Sequence, residues 1–136
     1  MKVALIALVT VTALPAAASS IPALDSCGGN RAVRPSSVSF CGDGNFYLTN
    51  LKWSRWTASS AAASGQAYQN DCTPFCAAGH FHTYRVLVAL FRVVTCPNGR
   101  SAYTRLSYRF VGARPRHIAA GPHVLIVPND FSNRCG

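Results

Sequence analysis

Hydrophobic and polar residues alternate along much of this chain, which predicts strands rather than helices. The cleanest alternation runs from Tyr103 to Val111. Thr104, Leu106, Tyr108 and Phe110 face one way, and Arg105, Ser107 and Arg109 the other, as in a half-buried antiparallel strand. Upstream, Thr83 to Val94 is apolar at both parities, with Val86, Val88 and Leu90 against Leu87, Ala89, Phe91 and Val93. That pattern predicts a strand covered on both faces. Pro97-Asn98-Gly99-Arg100 lies between the two runs and supplies a hairpin turn.

Other elements are shorter. Phe46 to Trp53 places Tyr47, Thr49, Leu51 and Trp53 on one face and Asn50 and Lys52 on the other. Ser36 to Phe40, Gln66 to Asn70 and His123 to Val127 read as further strands. Ala58 to Gly65 is small and unpatterned, a loop or a weak edge strand. Residues 19–35, broken by Pro22, Gly28, Gly29 and Pro35, read as a leader loop with Arg31 and Arg34 exposed. Gly112 to Pro122 is a basic loop carrying Arg114, Arg116 and His117. Trp53 is expected in the core. Trp56 is open between core and a stacking platform for sugars or bases. The expectation is an all-β domain of five to seven strands: a small disulfide-stabilised antiparallel β-sandwich, with a small β-barrel as the alternative.

The first 18 residues read as a secretory signal peptide. Lys2 gives the positive start, Val3 to Leu14 the apolar run, and Ala16-Ala17-Ala18 the small-residue cleavage site. The run is shorter than the ~20 residues of a membrane span, and no later stretch is apolar enough for one. Residues 19–136 then form a single secreted, extracellular domain, expected to be a monomer without a cofactor.

Export changes the reading of the cysteines. Cys27, Cys41, Cys72, Cys76, Cys96 and Cys135 all follow the cleavage site, and an even number in an oxidising compartment implies three disulfides. The connectivity is open; Cys27 joined to Cys135, end to end, is one possibility. Cys72, Cys76, His80 and His82 also invite a metal site, with His80 and His82 two apart on an extended segment. Their spacing matches no common zinc module, and paired cysteines offer no thiolate, so no metal is expected.

Without Lys2 the chain holds 12 basic and 4 acidic residues, all Asp; 11 of the basic residues are Arg. Carboxylate-pair glycoside hydrolysis is therefore poorly supported. No Gly-x-Ser-x-Gly elbow or free thiol offers a nucleophile. Arg grips phosphate, sulfate and carboxylate groups with a planar fork. Arg105 and Arg109 on an outer strand face, with Arg85 or Arg92 beside them and Arg114 and Arg116 beyond, would form a stripe for polyanions or cell-envelope components. The bland alternative is a solvated sheet face whose charge resists aggregation. An enzyme is the less favoured class. Its sharpest form is a small nuclease pairing His80 or His82 with His117 or His123.

Cys41-Gly-Asp-Gly-Asn45, Leu51-Lys-Trp-Ser54 and the segment Asn70-Asp-Cys-Thr-Pro-Phe-Cys-Ala-Ala-Gly-His-Phe-His82 carry a resemblance. Across residues 35–111 the chain resembles a group of small, uncharacterised secreted actinobacterial proteins. The resemblance implies export and a common fold, and it implies no reaction and no catalytic residue.

Overall fold

The computed structural model describes residues 8–14, 21–42 and 44–127. It is all-β, with eight strands in two antiparallel sheets. A ribbon of β1 (Leu24–Asp25) and β2 (Arg31–Ala32) forms the small sheet. The large sheet is a six-stranded meander in chain order: β3 (Val38–Ser39), β4 (Phe46–Trp56), β5 (Ala61–Asn70), β6 (Phe81–Thr95), β7 (Ser101–Phe110) and β8 (His123–Ile126). It curls into a half-barrel. Leu48, Leu51, Val86, Val88, Leu90, Leu106 and Phe110 fill its inner face.

The β6–β7 hairpin forms at the expected turn, where Gly99 has φ 83° and Cys96 and Arg100 close the ladder. The inner parity of β6 is buried as its pattern implies. The outer parity is not covered: Leu87 is 39% exposed, and Ala89, Phe91 and Val93 are half-buried. Hydrophobicity at both parities therefore overstated the cover on this strand.

Residues 58–60 are a turn, but the central place of β5 corrects the loop-or-edge reading for Ala61 to Gly65. Ala61, Ala63 and Ala67 are buried between β4 and β6 because small side chains let three strands pack under a curled sheet. The phase of β4 also differs. Leu48 and Leu51 are both buried, although an unbroken strand would put them on opposite faces. The register shifts between Thr49 and Lys52, with Asn50 at φ 52°, so a bulge resets the alternation. Gly65 makes room for it. A Cβ there would lie 2.7 Å from Leu51 Cδ2 and 2.9 Å from the Thr49 carbonyl oxygen. Gly65→Ala is therefore expected to cost about 1–3 kcal/mol, read as a lower denaturation midpoint. An unchanged midpoint would show that the bulge shifts freely.

The leader is more ordered than its composition implied. Arg31 is half-buried and bonds Asp25 at 2.9 and 3.1 Å. Ala23 bridges to Ala102 on β7. Trp56 resolves as core: it is 8% exposed, its Nε1 donates to the Pro22 carbonyl at 2.9 Å, and its ring meets Tyr103 edge-on at 5.3 Å. Trp53, half-buried against the core, donates to the Pro35 carbonyl at 2.7 Å.

Two disulfides are defined, Cys27–Cys41 and Cys72–Cys76. The first overturns the proposed Cys27–Cys135 closure. No described cysteine is free; Cys135, Asp43 and the expected cleavage site at Ala18 lie outside the described residues.

Candidate functional site

Two places on the large sheet gather chemistry, one on each side of it. The first is the outer face. Directly opposed residues of paired strands share a face. The pairs Lys52↔Ser64, Gln66↔Arg85 and Leu87↔Arg109 therefore put Lys52, Arg85 and Arg109 on the side away from the core. All three are exposed and line one groove, together with Asn50, Ser64 and Gln66. No acidic residue lines it, and none of the three cations has a carboxylate partner among the described residues.

The same face continues along β4, β5 and β6 into an aromatic cluster. Tyr47 pairs with Tyr68 across the strands, their ring centroids 5.0 Å apart. Phe81 stacks on Tyr68 at 4.7 Å with the rings nearly parallel, and it remains 39% exposed. The bulge in β4 is what joins the two features. Without it Tyr47 and Lys52, five residues apart, would face opposite sides.

The second place is a cavity of about 560 Å³ at the end of the sheet where β5 and β6 meet. Gln69, His82 and Tyr84 enter it from these strands, Asp71 and Thr73 from their connection, and Pro115 to Ile118 from the loop after β7. The strand pairing explains the first contact. Gln69 lies opposite His82, so the chain leaving β5 carries Asp71 back alongside His80 and His82. Asp71 Oδ1 accepts the backbone N–H groups of His80 and Thr73, at 3.0 and 3.1 Å, and its Oδ2 lies 2.9 Å from His82 Nε2.

These bonds, the His80 amide first, then His82 and the Thr73 amide, hold the Asp71 carboxyl down at about 2, from an ordinary value of 3.8. An ionised carboxylate only accepts, so His82 donates to it through Nε2. The pH dependence has a definite sign. A lowered folded pKa stabilises the fold above about 3.8, and that contribution disappears as pH falls through about 2. The thermal midpoint should therefore fall between pH 4 and pH 2 by more in the parent protein than in Asp71→Asn. Parallel falls in both would deny the carboxylate this role.

The loop is held by Ile118, which packs against the core and donates its N–H to the Pro115 carbonyl at 3.4 Å. Arg116 and His117 are the central residues of that turn, exposed at the cavity. His117 has φ 65°, a conformation that favours glycine.

The sequence-derived candidates thus separate. Arg109 lies in the outer groove, and Arg85 rather than Arg92 is its neighbour there. Arg105 is half-buried and its Nη1 donates to the Thr104 carbonyl at 2.9 Å. Arg116 belongs to the cavity, and Arg114 is exposed on the loop outside both places. Among the histidines, His82 and His117 share the cavity. His80 supplies its backbone amide to Asp71, and His123 stacks on Tyr108 with Nε2 at 2.8 Å from the Ala119 carbonyl. Cys72 and Cys76 bond each other, which removes both thiolates from the Cys/His cluster.

Sequence reasoning treated Lys52 only as the polar side of a strand and gave Asp71 no role of its own. The bulge hid the first. The second was accessible from an Asp placed just beyond a strand that pairs with a histidine-bearing one. No family model, curated protein or solved structure matches the chain.

Proposed function

We propose that this protein is a secreted module that binds an anionic polymer on the outer face of its large sheet. The observation that carries this reading is the convergence of Lys52, Arg85 and Arg109 in one groove that no carboxylate lines. Three cations without a carboxylate partner among the described residues create a local positive potential that a phosphate or sulfate chain neutralises with release of counterions. The Tyr68–Phe81 stack beside it, with Phe81 exposed and Tyr68 half-buried, favours a single-stranded nucleic acid among such polymers, because every base offers a flat face to an aromatic ring. Export is supported by the two disulfides. Leu8, Val9, Val11 and Leu14 also stay exposed and belong to no part of the core, as suits a segment that is removed. No helix among the described residues is long and apolar enough to cross a membrane.

The test is fluorescence anisotropy with a labelled oligothymidylate and, in competition, a sulfated glycan, each across a salt series. Binding that weakens steeply with salt and prefers the oligonucleotide supports the reading. Preference for the glycan would remove the role given to the aromatic stack. Failure to bind either polymer at low salt would reduce the positive charge to a solvated surface.

A further inference from the structure

From the second cavity we infer an activity that does not depend on the outer groove: cleavage of RNA by acid–base transphosphorylation, with His82 as general base, His117 as general acid and Arg116 as the group that stabilises charge. The sequence left four His pairs open, and the fold selects one of them. His82 and His117 line the same cavity, whereas His123 is committed to the Ala119 carbonyl and to Tyr108. The two selected histidines also differ in a way the reaction needs. Asp71 Oδ2, 2.9 Å from His82 Nε2, makes that nitrogen the donor and leaves Nδ1 as the ring nitrogen that can accept a proton. His117 has no carboxylate within ion-pair distance among the described residues, so none holds its ring away from a substrate. Arg116 adjoins it on the same turn. His117 also occupies a backbone conformation that glycine would adopt at lower cost, and residues kept against such a preference concentrate at working sites.

The step balances without a metal, an oxidant or a second reactant. The ribose 2′-oxygen bonds to phosphorus and gives its proton to His82 Nδ1. The bond from phosphorus to the 5′-oxygen breaks, and that oxygen takes a proton from His117. The products are a 2′,3′-cyclic phosphate and a free 5′-hydroxyl. Arg116 faces the negative charge that grows on the phosphoryl oxygens between these states. The charged and titratable groups around His82 and His117 are Asp71, Tyr84 and Arg116 in the cavity, with His80 adjoining through the Asp71 bond.

The experiment uses the purified, disulfide-intact protein with matched single-stranded RNA and DNA oligonucleotides, followed by gel and mass spectrometry. The expected result is shortened RNA ending in 2′,3′-cyclic phosphate, intact DNA, and a bell-shaped dependence of rate on pH. His82→Ala and His117→Gly should each lower the rate by roughly 10²-fold or more. His117→Gly suits a φ of 65°, so it should keep the parent's melting curve. Arg114→Ala, on the same loop but outside the cavity, should cleave at the parent rate, which separates the cavity's role from the general charge of the loop. RNA left intact from pH 4 to pH 9 would overturn the inference. So would cleavage that survives both histidine substitutions, or DNA cut as readily as RNA.

Discussion

The triple variant Lys52→Ala/Arg85→Ala/Arg109→Ala binds a single-stranded oligonucleotide about 10²-fold more weakly than the parent at 0.1 M salt. The size follows from counterion release. Each phosphate neutralised on a single strand contributes about 0.7 to the slope of log affinity against log salt, so three contacts contribute a slope of about 2. At 0.1 M salt that is worth about two decades of affinity. The same variant should therefore lose about 2 from the slope as well as from log affinity. The two losses together identify phosphate contacts, since a folding defect lowers the active fraction without changing the slope. The substitutions are on an exposed face, so the melting curve should move little. An anisotropy titration at four salt concentrations reads both quantities.

Trp56→Ala lowers the stability of the fold by about 3–5 kcal/mol. Its ring is buried between Trp53 and Tyr103, with centroids at 4.7 and 5.3 Å and both contacts edge-on. Its indole N–H also holds the Pro22 carbonyl. Truncation therefore removes aromatic packing where the leader, β4 and β7 meet, and leaves the Pro22 carbonyl without its partner. Tyr103 adds a hydrogen bond from its hydroxyl to the Thr57 carbonyl, so the disturbance extends to the end of β4. Trp56→Phe keeps the ring without the N–H and should lose less, about 1–3 kcal/mol. Chemical denaturation of the three proteins measures both differences. A cost below 1 kcal/mol for alanine would place Trp56 outside the core.

How far the sequence could be read depended on how local each determinant was. The β6–β7 hairpin was legible because alternation on β7 and an Asn-Gly turn are properties of neighbouring residues. The phase of β4 was not. A bulge at Asn50 shifts the parity of the residues after it until a second register shift between Trp53 and Arg55, and its only local sign is an Asn, a residue that tolerates positive φ. The central position of β5 was hidden for a different reason. Ala61 to Gly65 has little hydrophobicity of its own, and its burial comes from the strands on either side.

The sites follow the same logic. The basic stripe was expected from Arg105 and Arg109 with Arg85 or Arg92 beside them; Arg85 and Arg109 line the groove, whereas Arg105 donates to the Thr104 carbonyl. The missing partner, Lys52, reaches that face through the bulge. His82 and His117 were among the histidines singled out, but the choice between them and His80 or His123 required the fold. It turns on where Asp71 leaves β5 and on Ile118 anchoring the loop that presents Arg116 and His117.

Binding on the outer sheet face is tested by mapping that face. Amide and side-chain NMR shifts should be followed while an unlabelled oligothymidylate is titrated into the isotopically labelled protein at low salt. The account predicts that Lys52, Ser64, Gln66, Arg85, Leu87 and Arg109 move, with the rings of Tyr68 and Phe81, and that the changes reverse on adding salt. Shifts confined to the Asp71–His117 cavity, or no shifts at all, would contradict it.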